Sequence, residues 1–164
     1  MFDGAVRQED QVTHWYLTKD GDLNALALFH RHYSHRKYGE KLVLVTAKYD
    51  ALFVWRKFID ASGQQGVNCS VFRNESAMRS SELIRDAMEF AFIRWPDERL
   101  YTYVNPNRIR STNPGCCFRK AGWQICGKTK GGLIVLDFQK EQSHARLWRK
   151  PRHRHFRLHA GRVG

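Results

Sequence analysis

Leu83, Ile84, Ala87, Met88, Ala91 and Phe92 recur at i, i+1, i+4, i+5, i+8 and i+9, and that spacing constrains the fold more than any other feature. It draws one continuous apolar stripe along a helix and none along a strand, whose faces alternate at every residue. Pro96 stops the helix, because proline cannot donate to the hydrogen-bond ladder. A β-rich run precedes it at 67–72, left by the polar segment 73–76, and another follows at 100–104, cut by Asn105-Pro106-Asn107. Asn113-Pro114-Gly115 then starts a short helix that Gly122 closes, where a left-handed residue costs little. A last hairpin pairs 125–128 with 133–138 across 129–132.

The N-terminal part reads as strand, helix and hairpin. Residues 11–18 alternate as a short strand, Lys19-Asp20-Gly21 turns, and Asp22 can cap a helix through Leu23, Leu26, Ala27 and His30, ending near Tyr33 or Ser34. The apolar run 42–46 and the run 51–59 form an antiparallel pair around Tyr49-Asp50. The expected class is α/β, an α+β mixed sheet flanked by helices.

A chain of 164 residues with 42% hydrophobic and 13% aromatic residues forms one globular domain with a single core. No apolar run approaches the roughly 20 residues that span a bilayer, and Met1-Phe2-Asp3-Gly4 lacks a signal-peptide pattern, so a cytoplasmic address is expected. Cys69, Cys116, Cys117 and Cys126 contain no CxxC pair, and buried reduced thiols are expected of them. The net charge is +12. In 139–164, eight basic residues stand against Glu141 alone, so the tail carries +7 of it. Two units follow: a folded domain over 1–138 and a basic tail over 139–164. Such a field attracts polyanions, nucleic acid above all.

Three places could carry chemistry. The strand–loop–helix from Val67 to Ala91 presents a helix N-terminus able to hold a pyrophosphate, with Arg73, Asn74 and Ser76 in the loop. By itself it is also an ordinary polar loop capped by Ser76 or Ser80. Asn105 ends a strand with an amide that the ladder does not claim; alone, Asn-Pro-Asn is a turn. His30, His32 and His35 surround Tyr33, but no carboxylate completes a metal set, and a His32–Tyr33 pair suits proton transfer better. A solvated basic helix end remains the alternative there.

The order of these segments resembles the acyl-CoA-binding half of GNAT-type transferases, and more narrowly the Mom-like phage DNA-modification proteins. The resemblance runs over roughly 24–138. It rests on His32-Tyr33-Ser34-His35-Arg36, on the Ser81-led helix ending in Arg94-Trp95-Pro96, and on Asn105-Pro106 closing the next strand. Phe118-Arg119-Lys120-Ala121-Gly122-Trp123 and Gly127-Lys128 complete it. It implies a GNAT-like fold, a mostly antiparallel central sheet with splayed strands, an acetyl-CoA or related acyl-CoA donor, and DNA as partner. The reaction the resemblance implies is conversion of adenine to a carbamoylmethyl derivative.

Carried over by position, the resemblance makes His32, Tyr33, Ser81 and Asn105 the reactive or orienting residues. Arg73, Asn74, Ser76 and Phe118 would face the cofactor. Arg36 and Lys37, with Trp148, Arg149, Lys150 and Arg152 of the tail, would contact DNA. Three departures stand out: Asn105 replaces an acidic residue, Phe118 replaces a tyrosine that could protonate a leaving thiolate, and Ser76 and Met78 replace small loop residues. Cys117 and Tyr103 are the candidate substitutes for the tyrosine. Two other readings stay open: an N-acetyltransferase acting on a small amine or a protein, and a non-catalytic nucleic-acid-binding module of GNAT-like shape.

Overall fold

Three tryptophans hold the long helix against the sheet. In the computed structural model, which describes residues 13–29 and 39–140, that helix is α2, Ser80–Arg94. Its stripe of Leu83, Ile84, Ala87, Met88 and Ala91 is buried, as the spacing requires. The indole N–H groups of Trp15 and Trp55 donate to the carbonyls of Leu83 and Ala87, each at 2.8 Å, and that of Trp123 reaches the Met88 sulfur at 3.1 Å. Each ring removes apolar area from water while its one polar atom stays satisfied.

The sheet beneath has seven strands: β1 (Tyr16–Thr18), β2 (Glu40–Val45), β3 (Ala51–Lys57), β4 (Val67–Asn74), β5 (Leu100–Val104), β6 (Gln124–Lys128) and β7 (Ile134–Phe138). Their spatial order is β1-β2-β3-β4-β5-β7-β6. Every neighbouring pair is antiparallel except β4 and β5, which α2 joins as a parallel crossover. β4 runs two residues beyond the expected 67–72, and among the described residues of the expected strand 11–18 β1 occupies Tyr16–Thr18. Helix α1 (Leu23–Phe29) covers the other face, with Ala25 and Phe29 against Val43, Val45, Leu52 and Val54. Asp22 caps it as expected, accepting from the Ala25 amide at 2.9 Å. The short helix α3 (Cys116–Lys120) returns to the α2 face, where Phe118 joins the main core.

The two ends of the β4–β5 pair differ. At one end the Val67 amide donates to the Arg99 carbonyl at 2.8 Å, and Gly66 sits so close that an added Cβ would stand 2.2 Å from that oxygen. Arg99 also reaches Asp137 at 2.7 Å and the Gln64 side chain at 2.8 Å, tying loop and strands together. This is the closed end. At the other end the two strands separate.

Candidate functional site between the parted strands

The ladder between β4 and β5 holds for three pairs, Val67–Leu100, Asn68–Tyr101 and Cys69–Thr102, and then stops. Beyond it β4 continues to Asn74 beside β3 alone, and β5 continues to Val104 beside β7 alone. The result is a wedge in which neither strand has a ladder partner across the gap among the described residues. At its vertex the Thr102 hydroxyl donates to the Cys69 carbonyl at 3.0 Å, both buried.

A bulge in β4 sits where the strands part. Val54 pairs with Val71 and Trp55 with Cys69, so Ser70 has no opposite residue on β3. The extra residue also shifts which side chains face which way. Val67 and Cys69 point to the α2 face, but after the bulge so does Phe72, while Val71 turns to the α1 face. Unbroken alternation would have aimed Arg73 at α2. Instead its guanidinium lies 5.9 Å from the Phe29 ring centroid and is paired with Glu75. The expectation that Arg73 faces a phosphate at the start of α2 is therefore corrected. Its charge sits on the α1 face and is already opposed.

Asn74 and Ser76 do meet, and they build the loop rather than present open donors. The Asn74 carboxamide donates to the Met78 carbonyl at 2.8 Å and to the Ser80 hydroxyl at 3.0 Å, and accepts from the Ser76 amide at 2.9 Å. The Ser76 hydroxyl accepts from the Met78 amide at 3.2 Å. Neither Ser76 nor Ser80 caps α2, as the sequence had allowed; Arg79 holds that position without a side-chain bond. The amides of Ala77, Arg79, Ser80 and Ser81 have no partner among the described residues. Ser81 thus stands in the first turn, with backbone donors and the positive end of the helix dipole beside it.

Asn105 is not free either. Its side-chain oxygen accepts from the Asn107 amide at 3.0 Å, capping the single turn Pro106–Arg108 that leaves β5. The expectation of an unclaimed amide there is corrected, because the local turn satisfies it. Phe118 is buried, edge-on to Phe72 at 6.0 Å and to Trp123 at 4.9 Å. It forms an apolar wall on the α2 side of the wedge. Cys69 is buried as expected, but Cys116 and Cys117 are half-buried and Cys126 is exposed. Burial raises the thiols of Cys69 and Cys117, so both remain neutral.

Tyr103 lies on the opposite face. Its hydroxyl donates to the Asp60 carboxylate at 2.9 Å and stands 2.8 Å from the Ser62 hydroxyl. Burial raises the Tyr103 phenol, and the Asp60 hydrogen bond and charge add to that, so it keeps its proton. Burial pushes the Asp60 carboxyl up, yet hydrogen bonds from Ser62, Tyr103 and Tyr101 outweigh it and leave the carboxyl below its ordinary range. Asp60 was not among the expected site residues; the Asp60-Ala61-Ser62 turn, three residues past the end of β3, was the available signal. Among the described residues no group of His, Cys, Asp and Glu could hold a metal ion. His32, Tyr33, Arg36 and Lys37, and the tail residues Trp148, Arg149, Lys150 and Arg152, lie outside the described residues.

No protein-family model matches the chain, and no curated protein matches it significantly. Among solved structures it is similar to the GNAT domain of S. lividans PAT, with a TM-score of 0.50 and 19% identity over 67% of this chain. The match spans 66% of that chain, just under two thirds of its length. The likeness is one of fold: the chain has a GNAT-like fold, built on a seven-stranded sheet with one parallel pair.

Proposed function

We propose that this protein is an acyl-CoA-type transferase that modifies bases in DNA. The wedge carries the reading: two parallel strands part beyond Cys69–Thr102, with the unpartnered amides of α2 at the same end. These features fit a pyrophosphate-bearing donor with an extended arm. The amides of Ala77, Arg79, Ser80 and Ser81 would hold phosphate oxygens, and the Asn74–Ser76 network keeps their loop in shape. When bound, the donor supplies an activated thioester. Phe72 and Phe118 exclude water from the α2 side of the arm, and the thiols of Cys69 and Cys117 stay protonated and so do not compete as nucleophiles.

Phe118 cannot donate a proton to a leaving thiolate, so proton handling falls to His32 and Tyr33. An imidazole titrates near neutrality, and a neighbouring phenol can orient it. DNA as acceptor is supported by the +12 net charge and by the resemblance to Mom-like proteins. Reaching a ring edge in a duplex requires the base to leave the stack.

The test is co-expression with a plasmid, digestion of its DNA to nucleosides and mass spectrometry. A modified nucleoside that disappears in His32→Ala is the expected result. Unmodified DNA from a folded, acetyl-CoA-binding protein would refute DNA as the acceptor and leave transfer to a small amine or a protein. Calorimetric titration with acetyl-CoA decides the donor separately, and absence of binding there would favour the non-catalytic module.

A further inference from the structure

The charged residues of this fold are sorted by end. Lys41–Asp20, Lys57–Glu98, Arg94–Glu40 and Arg99–Asp137 form ion pairs, and all lie at the closed end, where β2 and β5 begin and β3 and α2 finish. At the splayed end stand Lys48, Arg79, Arg108, Arg110, Lys128 and Lys130. All are exposed, and none has an ion-pair or hydrogen-bond partner for its side chain among the described residues. The acids there are fewer. Glu75 is taken up by Arg73, Asp50 accepts from the Thr46 hydroxyl at 2.6 Å, and Glu82 sits in the first turn of α2.

Topology lines these cations up. Lys48 is in the β2–β3 hairpin, Arg79 follows β4, Arg108 and Arg110 follow β5, and Lys128 and Lys130 are at the β6–β7 hairpin. From one hairpin to the other is about four interstrand spacings, roughly 19 Å, before the wedge widens it. No small anion touches a row of that length. A polymer with regularly repeated charge does, and roughly 19 Å faces five or six phosphates on one strand of a duplex.

We infer that this row is a docking surface for the phosphate backbone of double-stranded DNA, laid across the mouth of the wedge. The inference locates the partner of the proposed transferase on the folded domain, in addition to the tail, and it rests on that reading for the choice of DNA. Backbone contacts at the splayed end hold a duplex where a displaced base would meet the opening.

The experiment is fluorescence anisotropy of a labelled 20-base-pair duplex of arbitrary sequence, titrated with the full chain across a range of salt. The quadruple variant Arg108→Gln, Arg110→Gln, Lys128→Gln, Lys130→Gln is compared with Lys19→Gln, Arg119→Gln, Lys120→Gln, which removes exposed cations away from the row. Every substitution is on an exposed side chain, and circular dichroism checks the fold. Each phosphate contact contributes about 0.9 to the slope of log K against log salt, so the quadruple variant should lose about 3 to 4 from that slope. It should also bind at least about thirtyfold more weakly at low salt, while the control slope changes by less than about one.

Equal slopes for the quadruple variant and the wild type overturn the inference, as does absence of duplex binding by the wild type. Tighter binding to phosphatidylserine vesicles than to the duplex, lost in the quadruple variant, overturns it in favour of a membrane surface. Anisotropy uses no donor, so the outcomes separate. Row-dependent binding without a modified nucleoside defeats the transferase reading alone, and a modified nucleoside with unchanged slope defeats this inference alone.

Discussion

Thr102→Val exchanges the hydroxyl at the vertex of the wedge for a methyl and keeps the shape of the side chain. The wild-type hydroxyl donates to the Cys69 carbonyl at 3.0 Å in a buried setting, beside the last pair of the β4–β5 ladder. Losing the donor leaves that carbonyl without this partner, at a cost of about 1–3 kcal/mol. The methyl that takes its place returns about 0.8 kcal/mol of apolar burial. The net expectation is a loss of about 1 kcal/mol, read in urea unfolding followed by far-UV circular dichroism, with Tm lower by about 2–4 °C. Because the lost bond sits at one point, amide hydrogen exchange around Cys69 should quicken about fivefold while α1 exchanges as before. A variant as stable as the wild type, or with quickened exchange spread evenly over the sheet, would refute the vertex as a local pin.

Phe118→Ala should cost about 3–5 kcal/mol, because it empties a buried site bounded by Phe72 and Trp123, and thermal unfolding should show the domain close to its stability limit. Gly66→Ala should be destabilising by more than the roughly 1–3 kcal/mol of backbone strain, since φ is +120° and the new methyl meets the Arg99 carbonyl; soluble yield and Tm report it. Asp60 has a carboxyl pKa below its ordinary 3.8, so its ionised form stabilises the fold at pH above that value. That contribution fades as pH falls through the lowered pKa. The stability gap between wild type and Asp60→Asn should therefore be constant near neutrality and shrink only below about pH 4; a gap that grows on acidification contradicts the assignment.

Much of the architecture was legible because it depends on periodicity and punctuation. The stripe from Leu83 to Phe92 has one solution, and Pro96, Asn105-Pro106 and Gly122 mark where elements stop. The Asp22 cap followed from its chemistry. The site was harder to read. Ser70 gives no local sign that it will be squeezed out of the ladder, yet that single event turns Arg73 to the α1 face. The sequence places Asn74 and Ser76 in the loop expected to face the cofactor, but not the bonds these short polar side chains make to one another and to the loop backbone. The Asp60–Tyr103 bond joins residues 43 apart and depends on how a loop folds over the sheet, which no local pattern encodes.

The seating of α2 on tryptophan has a practical consequence. Trp15, Trp55 and Trp123 each bond to or touch the helix, and Trp95 ends it, so four of the five indoles in the chain surround one element. The protein is thereby equipped with an intrinsic optical reporter. A molecule settling on the first turn of α2 acts one turn away from the Leu83 carbonyl that Trp15 reads. Emission wavelength and quenching can then follow occupancy in real time without any attached dye.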